Sequence, residues 1–557
     1  MSVAQNRSIL WDRIFVYGFL LAPTTVIFLI TWWYSLDWDT VIDVPVFLYT
    51  GFLMDHFNMV PVRDFFTYNL LTTHEVFRWL YHFFGSSNRG MRIADTSILV
   101  VILPLMARML VPFGRRAVWI GAIGFGLLHI RYGALSYLQR DYLALVPLSL
   151  MVLSATAWFG AKQRLRWILS GFFCGALVTI KPHLIVGGMV IYLYMIMDRD
   201  SEEPLNWRQW GSRGLSIFFY FSLGGCLPLL WMAAYFAYYG VLGEFVRTIV
   251  EFFPLHADIS GRRSVFEPGE RLPYLVYMTL LVTPWGDFQL AVGAVTGVAL
   301  FLFLPGFDKR ERRFGNLMLA LLIVYLLYPC LAGRFYEHHY YPFRFFACAW
   351  LAFCFRKWPS GTPVRVNVFS RAVSAYIIVS LFYSDPSLMF KPVQTLPSSI
   401  APEPRTKRIA TWLERRLQPG DTIQPIEWGF CGIIHAALLT EAKVATDIIW
   451  AEGLFHHLSN PFIQDLRKKF IQDLTENKPR FVIRSKMDWD YMSGRDCSQD
   501  FEELDALLKR DYFLAIDSRD FRIWEHNDSP TADEDRARAP DDSNEKRPVD
   551  PQEFSLE

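Results

Sequence analysis

The stretch GLSIFFYFSLGGCLPLLWMAAYFAYY, Gly214 to Tyr239, decides the fold class. It carries no charged side chain and outruns the roughly 18 to 20 apolar residues that cross the hydrocarbon core of a bilayer. It is one of several such blocks: FVYGFLLAPTTVIFLITWWY, Phe15 to Tyr34, is another, and the blocks end near residue 390. The 52% hydrophobic and 16% aromatic content of the 557 residues is therefore concentrated, and the chain reads as an α-helical polytopic membrane protein. A net charge of +1 leaves no basic footprint for nucleic acid, and that class of partner is excluded.

Basic clusters separate the blocks: Arg7 and Arg13; Arg115 and Arg116; Lys162, Arg164 and Arg166; Arg208 and Arg213; Lys309, Arg310, Arg312 and Arg313; Arg356 and Lys357. Such clusters stay in the cytoplasm. Keeping them on one face requires an even number of spans between neighbours. This predicts helices near 14–34, 93–112, 117–136, 142–160, 167–180, 183–197, 214–239, 272–304, 315–333, 342–355 and 368–385, about eleven. The stretch 167–197 is read as two helices broken at Lys181, Pro182 and His183, because proline disrupts a helix interior and the residue before it avoids α geometry. The stretch 272–304, interrupted by TPWGD, is read as a re-entrant piece plus a span. Trp32, Trp33 and Tyr34 resemble an interfacial belt rather than a signal-peptide cleavage site. Cys174, Cys226, Cys330, Cys348 and Cys354 read as packing residues; Cys431 and Cys497 fall in an exported part, where pairing is permitted.

Three outer loops follow. Ser35 to Arg92 holds two amphipathic pieces, Val44 to Val60 and His74 to Phe84, with the mixed composition of interfacial helices. Val241 to Arg271 is the second, and GRFYEHHYYP, Gly333 to Pro342, the third. The transmembrane module is set at 1–390. Over 400–527, RIATWLERRL, FIQDLRKKFIQDL and FEELDALLKR have helical periodicity, whereas DTIQPIEW, RFVIRS, YFLAIDS and FRIWEH read as strands. The alternation implies a small extracytoplasmic α/β domain. The acidic tail, 528–557, holds too few large apolar residues to offset its ordering entropy and is expected to be disordered.

Charges beside a membrane sit at interfaces or in cavities, since one at the bilayer centre costs about 2.5 to 3.5 kcal/mol. Asp43 is either the N-cap of the helix that Pro45 opens or a carboxylate pointing into a cavity as general base. Asp64 is either a turn residue or a second acidic ligand. Arg140 and Asp141 are either a local pair at a helix start or part of a site that holds a metal ion or an acceptor group. Lys181, His183, Arg334, His338 and His339 are either snorkelling cations or, converging, a phosphate site. Zinc is a poor reading of EHH, because neighbouring helical residues do not share a face. There is no P-loop and no GxGxxG. A group transferred outside must therefore arrive already activated.

The segments DVPVFLYTGFLMDHFNMVPVRDFF, QRDYLA, KPH and RFYEHHYYP, in this order and topology, resemble the GT-C superfamily of polyprenyl-phosphate-sugar-dependent glycosyltransferases, which includes protein O-mannosyltransferases and lipid A aminoarabinose transferases. The resemblance implies an inverting transfer with Asp43 as base and Asp141 as the second catalytic acid. Arg140, Lys181, Arg334 and His339 would neutralise the leaving polyprenyl phosphate, with His183, His338 and Asp64 as further substrate contacts. Some relatives use a divalent metal, Mg or Mn, for which Asp43 and Asp141 are the candidates; others use none. Asp43 is not followed by the acidic or aromatic tripeptide of the best-known mannosyltransferases, which speaks against mannose and leaves hexosyl or pentosyl transfer. The implied partners are a polyprenyl-phosphate sugar, membrane lipid and a glycan, lipid or protein acceptor. The implied setting is cell-envelope glycan biosynthesis at a bacterial inner membrane. The rivals are a flippase or transporter for a polyprenyl-linked glycan, whose hallmark is inverted repeats with paired broken helices; an O-antigen polymerase or ligase, which places its large outer loop between spans; and a membrane-anchored receptor, for which eleven spans are excessive.

Overall fold

The computed structural model describes residues 22–356 apart from 37, 42, 135, 157–161, 199–205, 260–262, 280–285 and 305, then 403–427, 432–486 and 496–530, with isolated positions between 357 and 402. Most of the predicted span 368–385, nearly all of the acidic tail and Cys431 lie outside the described residues. The chain forms two compact units that interleave in sequence: residues 1–38, 92–232 and 263–393 make the first, and 39–91, 233–262 and 394–557 the second.

The first unit is helical. Three described helices are long and apolar enough to cross a membrane, Asn88–Phe113, Trp207–Tyr238 and Lys309–Ala332, and Pro182–Met197 and Phe288–Phe303 are shorter apolar ones. Other predicted spans correspond to Ala22–Ser35, Arg115–Arg131, Leu145–Ala155, Gln163–Ile180 and Tyr341–Phe353, several too short to span alone. The long stretch 272–304 resolves into Pro268–Tyr277 and Gly286–Phe303, and Pro182 produces the expected break, a 3-10 turn over Pro182–Leu184.

Local chemistry accounts for the helix ends and crossings. Lys309–Ala332 starts in a capping box: the Asp308 carboxylate accepts the Glu311 N–H at 2.7 Å and the Glu311 carboxylate accepts the Asp308 N–H at 3.2 Å. It stops at Gly333, whose φ of +63° lies in the left-handed region that ends helices. Gln163–Ile180 and Trp207–Tyr238 meet through glycine. A Cβ on Gly171 would lie 1.8 Å from the Phe221 carbonyl oxygen, one on Gly175 2.3 Å from that of Gly225, and one on Gly224 1.9 Å from that of Ile168. Small residues at this spacing let backbones approach where lipid supplies no hydrophobic drive.

The second unit is built on a mixed five-stranded sheet of order β2-β1-β3-β5-β4, with β1 Thr422–Ile426, β2 Lys443–Val444, β3 Phe481–Ser485, β4 Tyr512–Asp517 and β5 Phe521–His526. β1 runs parallel to β2 and β3; β5 is antiparallel to β3 and β4. Phe470, Leu474, Leu504 and Leu508, from helices Pro461–Asn477 and Glu502–Asp511, pack against Val482 of the sheet. The sequence reading missed helix Ile433–Leu439 and strand β2, both too short to show a period.

The same unit takes in the first outer loop. Helices Val44–His56 and Leu71–Phe84 pack so closely that a Cβ on Gly51 would lie 2.6 Å from the Phe77 carbonyl carbon. Tyr49 donates its hydroxyl to the Ala442 carbonyl at 2.7 Å, and the Phe66 N–H donates to the Asp447 carbonyl at 2.7 Å. Phe66 meets Phe252 at 4.9 Å between ring centres, and His457 bonds to the Leu255 carbonyl at 2.9 Å. The unit boundary therefore differs from a plain division near residue 390: two loops fold with the α/β part.

Candidate active site

In the first unit the chemistry gathers at three helix ends. Asp141 lies in the single turn Arg140–Leu143 and is fully buried. Its carboxylate accepts the Lys181 ammonium at 2.5 Å and the Tyr328 hydroxyl at 3.3 Å. Lys181 closes helix Gln163–Ile180, where the following Pro182 prevents continuation. Tyr328 comes from the last turns of Lys309–Ala332, its ring 5.7 Å below the ammonium. A buried carboxylate carrying two charge- or hydroxyl-donated bonds is a satisfied one.

The third outer loop completes the cluster. His338 and His339 lie on the 3-10 turn Glu337–Tyr340, and one ligating atom from each, with one from Asp141, all fall within 4.8 Å of one another. The expectation that adjacent histidines cannot share a site assumed α geometry; a tight turn, with rings at 90° and 4.6 Å apart, brings both to the same spot. His339 donates Nδ1–H to the Arg334 carbonyl at 2.8 Å, which leaves Nε2 as the available lone pair. Burial, reinforced by the Lys181 ammonium, pushes both imidazoles well below their ordinary range, so they are neutral at pH 7. They are not the cations that the sequence suggested.

Three buried charged residues that the sequence reading passed over hold this arrangement. Arg344, inside helix Tyr341–Phe353, is fully buried, donates to the Glu337 carbonyl at 2.8 Å and lies 3.5 Å over the Tyr132 ring. Arg92 and Asp95 form a buried ion pair three residues apart. His129 donates Nε2–H to Asp95 at 2.8 Å and accepts from Tyr341 at 2.9 Å, and the Leu138 N–H donates to the other Asp95 oxygen at 3.1 Å. Asp95 thereby anchors the segment that delivers Asp141, in which Leu138 adopts a φ of +51°. The available signal was an Arg and an Asp at i and i+3, immediately before the apolar run of the same helix.

No protein-family profile matches the chain, and no characterised protein matches it in sequence. Solved structures do match in three dimensions. ArnT from Cupriavidus metallidurans bound to undecaprenyl phosphate superposes with a TM-score of 0.56 over 90% of this chain and 97% of that one, at 14% identity. The apo state of the same protein gives 0.55 over 94% and 98%, at 13% identity. The chain has the ArnT fold. The GT-C resemblance drawn from four short segments is thus met by a likeness covering nearly the whole chain, at an identity that speaks for the ArnT-like fold alone.

The remaining predicted residues divide between the units. Arg140, His183 and Arg334 are half-buried in the first, beside Asp141, Lys181 and His339 in sequence. Arg334 is held where residues 263–265 bridge to 333–335, and Arg263 pairs with Glu337 at 3.1 Å. Asp43 belongs to the second unit, half-buried, immediately before helix Val44–His56. Its side chain makes no capping hydrogen bond although Pro45 opens the helix. The carboxylate is therefore not used as the cap. Asp64 is a turn residue: it accepts the Val60 N–H at 2.7 Å and a two-pronged pair from Arg63 at 2.9 and 2.7 Å. Burial alone would raise its pKa, but the Arg63 and Val60 bonds outweigh it and hold the carboxyl below the usual range.

Proposed function

We propose that this chain transfers a sugar from a polyprenyl-phosphate donor to an acceptor hydroxyl at the extracytoplasmic face of a membrane. The observation that carries the reading is the buried Asp141, Lys181 and Tyr328 cluster, with His338 and His339, at the helix ends of an ArnT-like fold. The ligand bound in that structural neighbour is undecaprenyl phosphate, a lipid phosphate of the class that a glycosyl donor of this kind releases.

In this reading Asp43 takes the proton of the acceptor hydroxyl while its oxygen attacks the anomeric carbon from the side opposite the phosphate, and configuration inverts. The bond from the anomeric carbon to the phosphate oxygen breaks, with its electron pair leaving on the phosphate. Charge grows there as the bond breaks, so fixed cations act on the transition state more than on the bound donor. Lys181 is the best-held of these, with Arg140 and Arg334 as neighbours in the site and Arg the residue that suits planar phosphate faces. Asp141 orients Lys181.

A divalent ion also fits the donors present: two neutral imidazoles, one with its tautomer set by a backbone carbonyl, and one carboxylate. Such a set suits Mn or Zn better than Mg. When bound, the ion would supply Lewis-acid stabilisation of phosphate oxygens, in competition with Lys181 for Asp141.

The test is purified protein given a panel of radiolabelled polyprenyl-phosphate sugars, scored for release of the lipid phosphate. Transfer from at least one donor is expected, and Asp43→Asn should lower it by about two to four orders of magnitude, the usual size of general-base catalysis. Near-normal turnover in that variant removes Asp43 from the mechanism. Saturable vesicle transport without any donor cleavage would favour a flippase instead.

A further inference from the structure

The α/β part of the second unit carries a cleft of about 500 Å³ that the glycosyl-transfer reading does not use. Its position follows from the sheet order. β1 connects to β2 on one side, and the chain then returns past β1 to β3 on the other, so strand order reverses between β1 and β3. Open α/β sheets bind ligands at such a switch point, outside the carboxyl ends of the strands. Here Ile426 ends β1, Arg484 and Ser485 end β3, Lys486 follows, and all four line the cleft.

The lining defines a chemistry. Arg484 stands opposite Arg522, and Val482 opposite Trp524, on paired strands. With a side-chain period of two, Arg484, Arg522 and Trp524 therefore share one face of the sheet. Two guanidiniums facing each other across strands oppose pairing unless anions answer them. Arg484 takes Asp505 at 2.8 Å and the Gln499 carbonyl at 2.7 Å, and Arg522 takes Asp517 at 3.3 Å, so both forks are held in fixed positions. Lys509, exposed at the rim, has no ion-pair partner among the described residues. Arg484, Lys486, Lys509 and Arg522 line the space with Asp500 and Asp505, and Asp517 pairs with Lys486 as well as Arg522, which still leaves cations in excess around a space of the size that small ligands occupy. Half-buried Trp524 and buried Phe455 provide the apolar floor.

We infer that this cleft is a binding site for an acidic saccharide, a sugar bearing a carboxylate or phosphate. The ring's C–H face lies on Trp524, its hydroxyls meet Gln499 and Asp500, and its anionic group meets Arg522 and Lys509. The cleft shares no residue with the Asp141 cluster and stands without the transfer reading.

The experiment is calorimetric titration of the full chain in detergent, without lipid donor, using glucuronate, glucose 1-phosphate, glucose and inorganic phosphate. Glucuronate or glucose 1-phosphate should bind at least about fivefold more tightly than glucose and inorganic phosphate. Lys509→Glu, at an exposed position, and Arg522→Gln should each weaken that binding by about 5- to 20-fold. Glucose binding equally well would overturn the acidic class, and phosphate binding equally well would reduce the site to a plain anion cluster. No saturable binding, or binding that survives both substitutions, would overturn the site itself.

Discussion

Asp141 and Lys181 are forty positions apart in the chain and share a buried ion pair, with the Asp141 side chain fully inaccessible. Two charges so placed depend on each other: removing one partner strands the other, at a cost of about 3 to 5 kcal/mol, whereas removing both is far milder. Asp141→Asn should therefore lower the thermal midpoint in detergent by several degrees, and Asp141→Asn with Lys181→Met should recover most of the loss. A double variant no more stable than the single one would show that the pair is not coupled. The residues themselves were legible as short charged segments at the outer ends of apolar blocks. Their company was not: nothing marks Tyr328 among the other aromatics of an apolar helix, and Arg344 passes unnoticed, because a linear string does not show that a carbonyl and a tyrosine face will meet it. The neutrality of His338 and His339 is of the same kind, since it comes from burial beside Lys181 rather than from residue type.

Among elements, the crossing of Gln163–Ile180 with Trp207–Tyr238 depends on glycine, because main-chain oxygens occupy the place of a side chain. Gly171→Leu should force these helices apart and reduce the yield of monodisperse protein on size exclusion, while Gly211→Leu, on Trp207–Tyr238 with nothing within 4 Å, should leave it unchanged. Equal behaviour of the two variants would dismiss the seam. Helix Ile433–Leu439 carries a different constraint. Its His435 is buried, Nε2 has no hydrogen-bond partner among the described residues, and burial pushes the imidazole down to about 4. An unfolded histidine titrates near 6.5, so between the two values the unfolded state binds the extra proton. The stability contribution is fully present above about pH 6.5 and is lost as pH falls toward 4, reaching about 3 kcal/mol. Hydrogen exchange across Ile433–Leu439, corrected for intrinsic rates, should lose protection from pH 7 to pH 5, and His435→Phe should flatten that dependence. The break at Pro182 was readable from local chemistry; the start at Asp308, ahead of the span expected at 315, was hidden by the basic cluster that follows it, and the seven-residue helix had too few turns to show a period.

At the scale of the molecule, the second unit joins three separate stretches of chain, 39–91, 233–262 and 394–557. If they form one cooperative body, damage to the α/β core should be felt in the first outer loop. Phe470, fully buried in that core, makes the test: Phe470→Ala should cost about 3 to 5 kcal/mol and speed hydrogen exchange in Val44–His56 as well as in the sheet. A rise confined to residues 400–527 would separate the loop from the domain. By itself the sequence determined that the chain enters a membrane, where helices bend or stop, and that an α/β region follows the last apolar block, because hydrophobic length, proline and period act over a few neighbouring residues. Only the tertiary structure decided that the first outer loop folds with that region through contacts such as Tyr49 on Ala442, that Asp43 does not cap its helix, and that Asp141, Lys181, Tyr328 and two histidines converge. Each of these joins residues through burial and hydrogen bonds whose partners lie far away in sequence, and pairing at that distance leaves no local period to read.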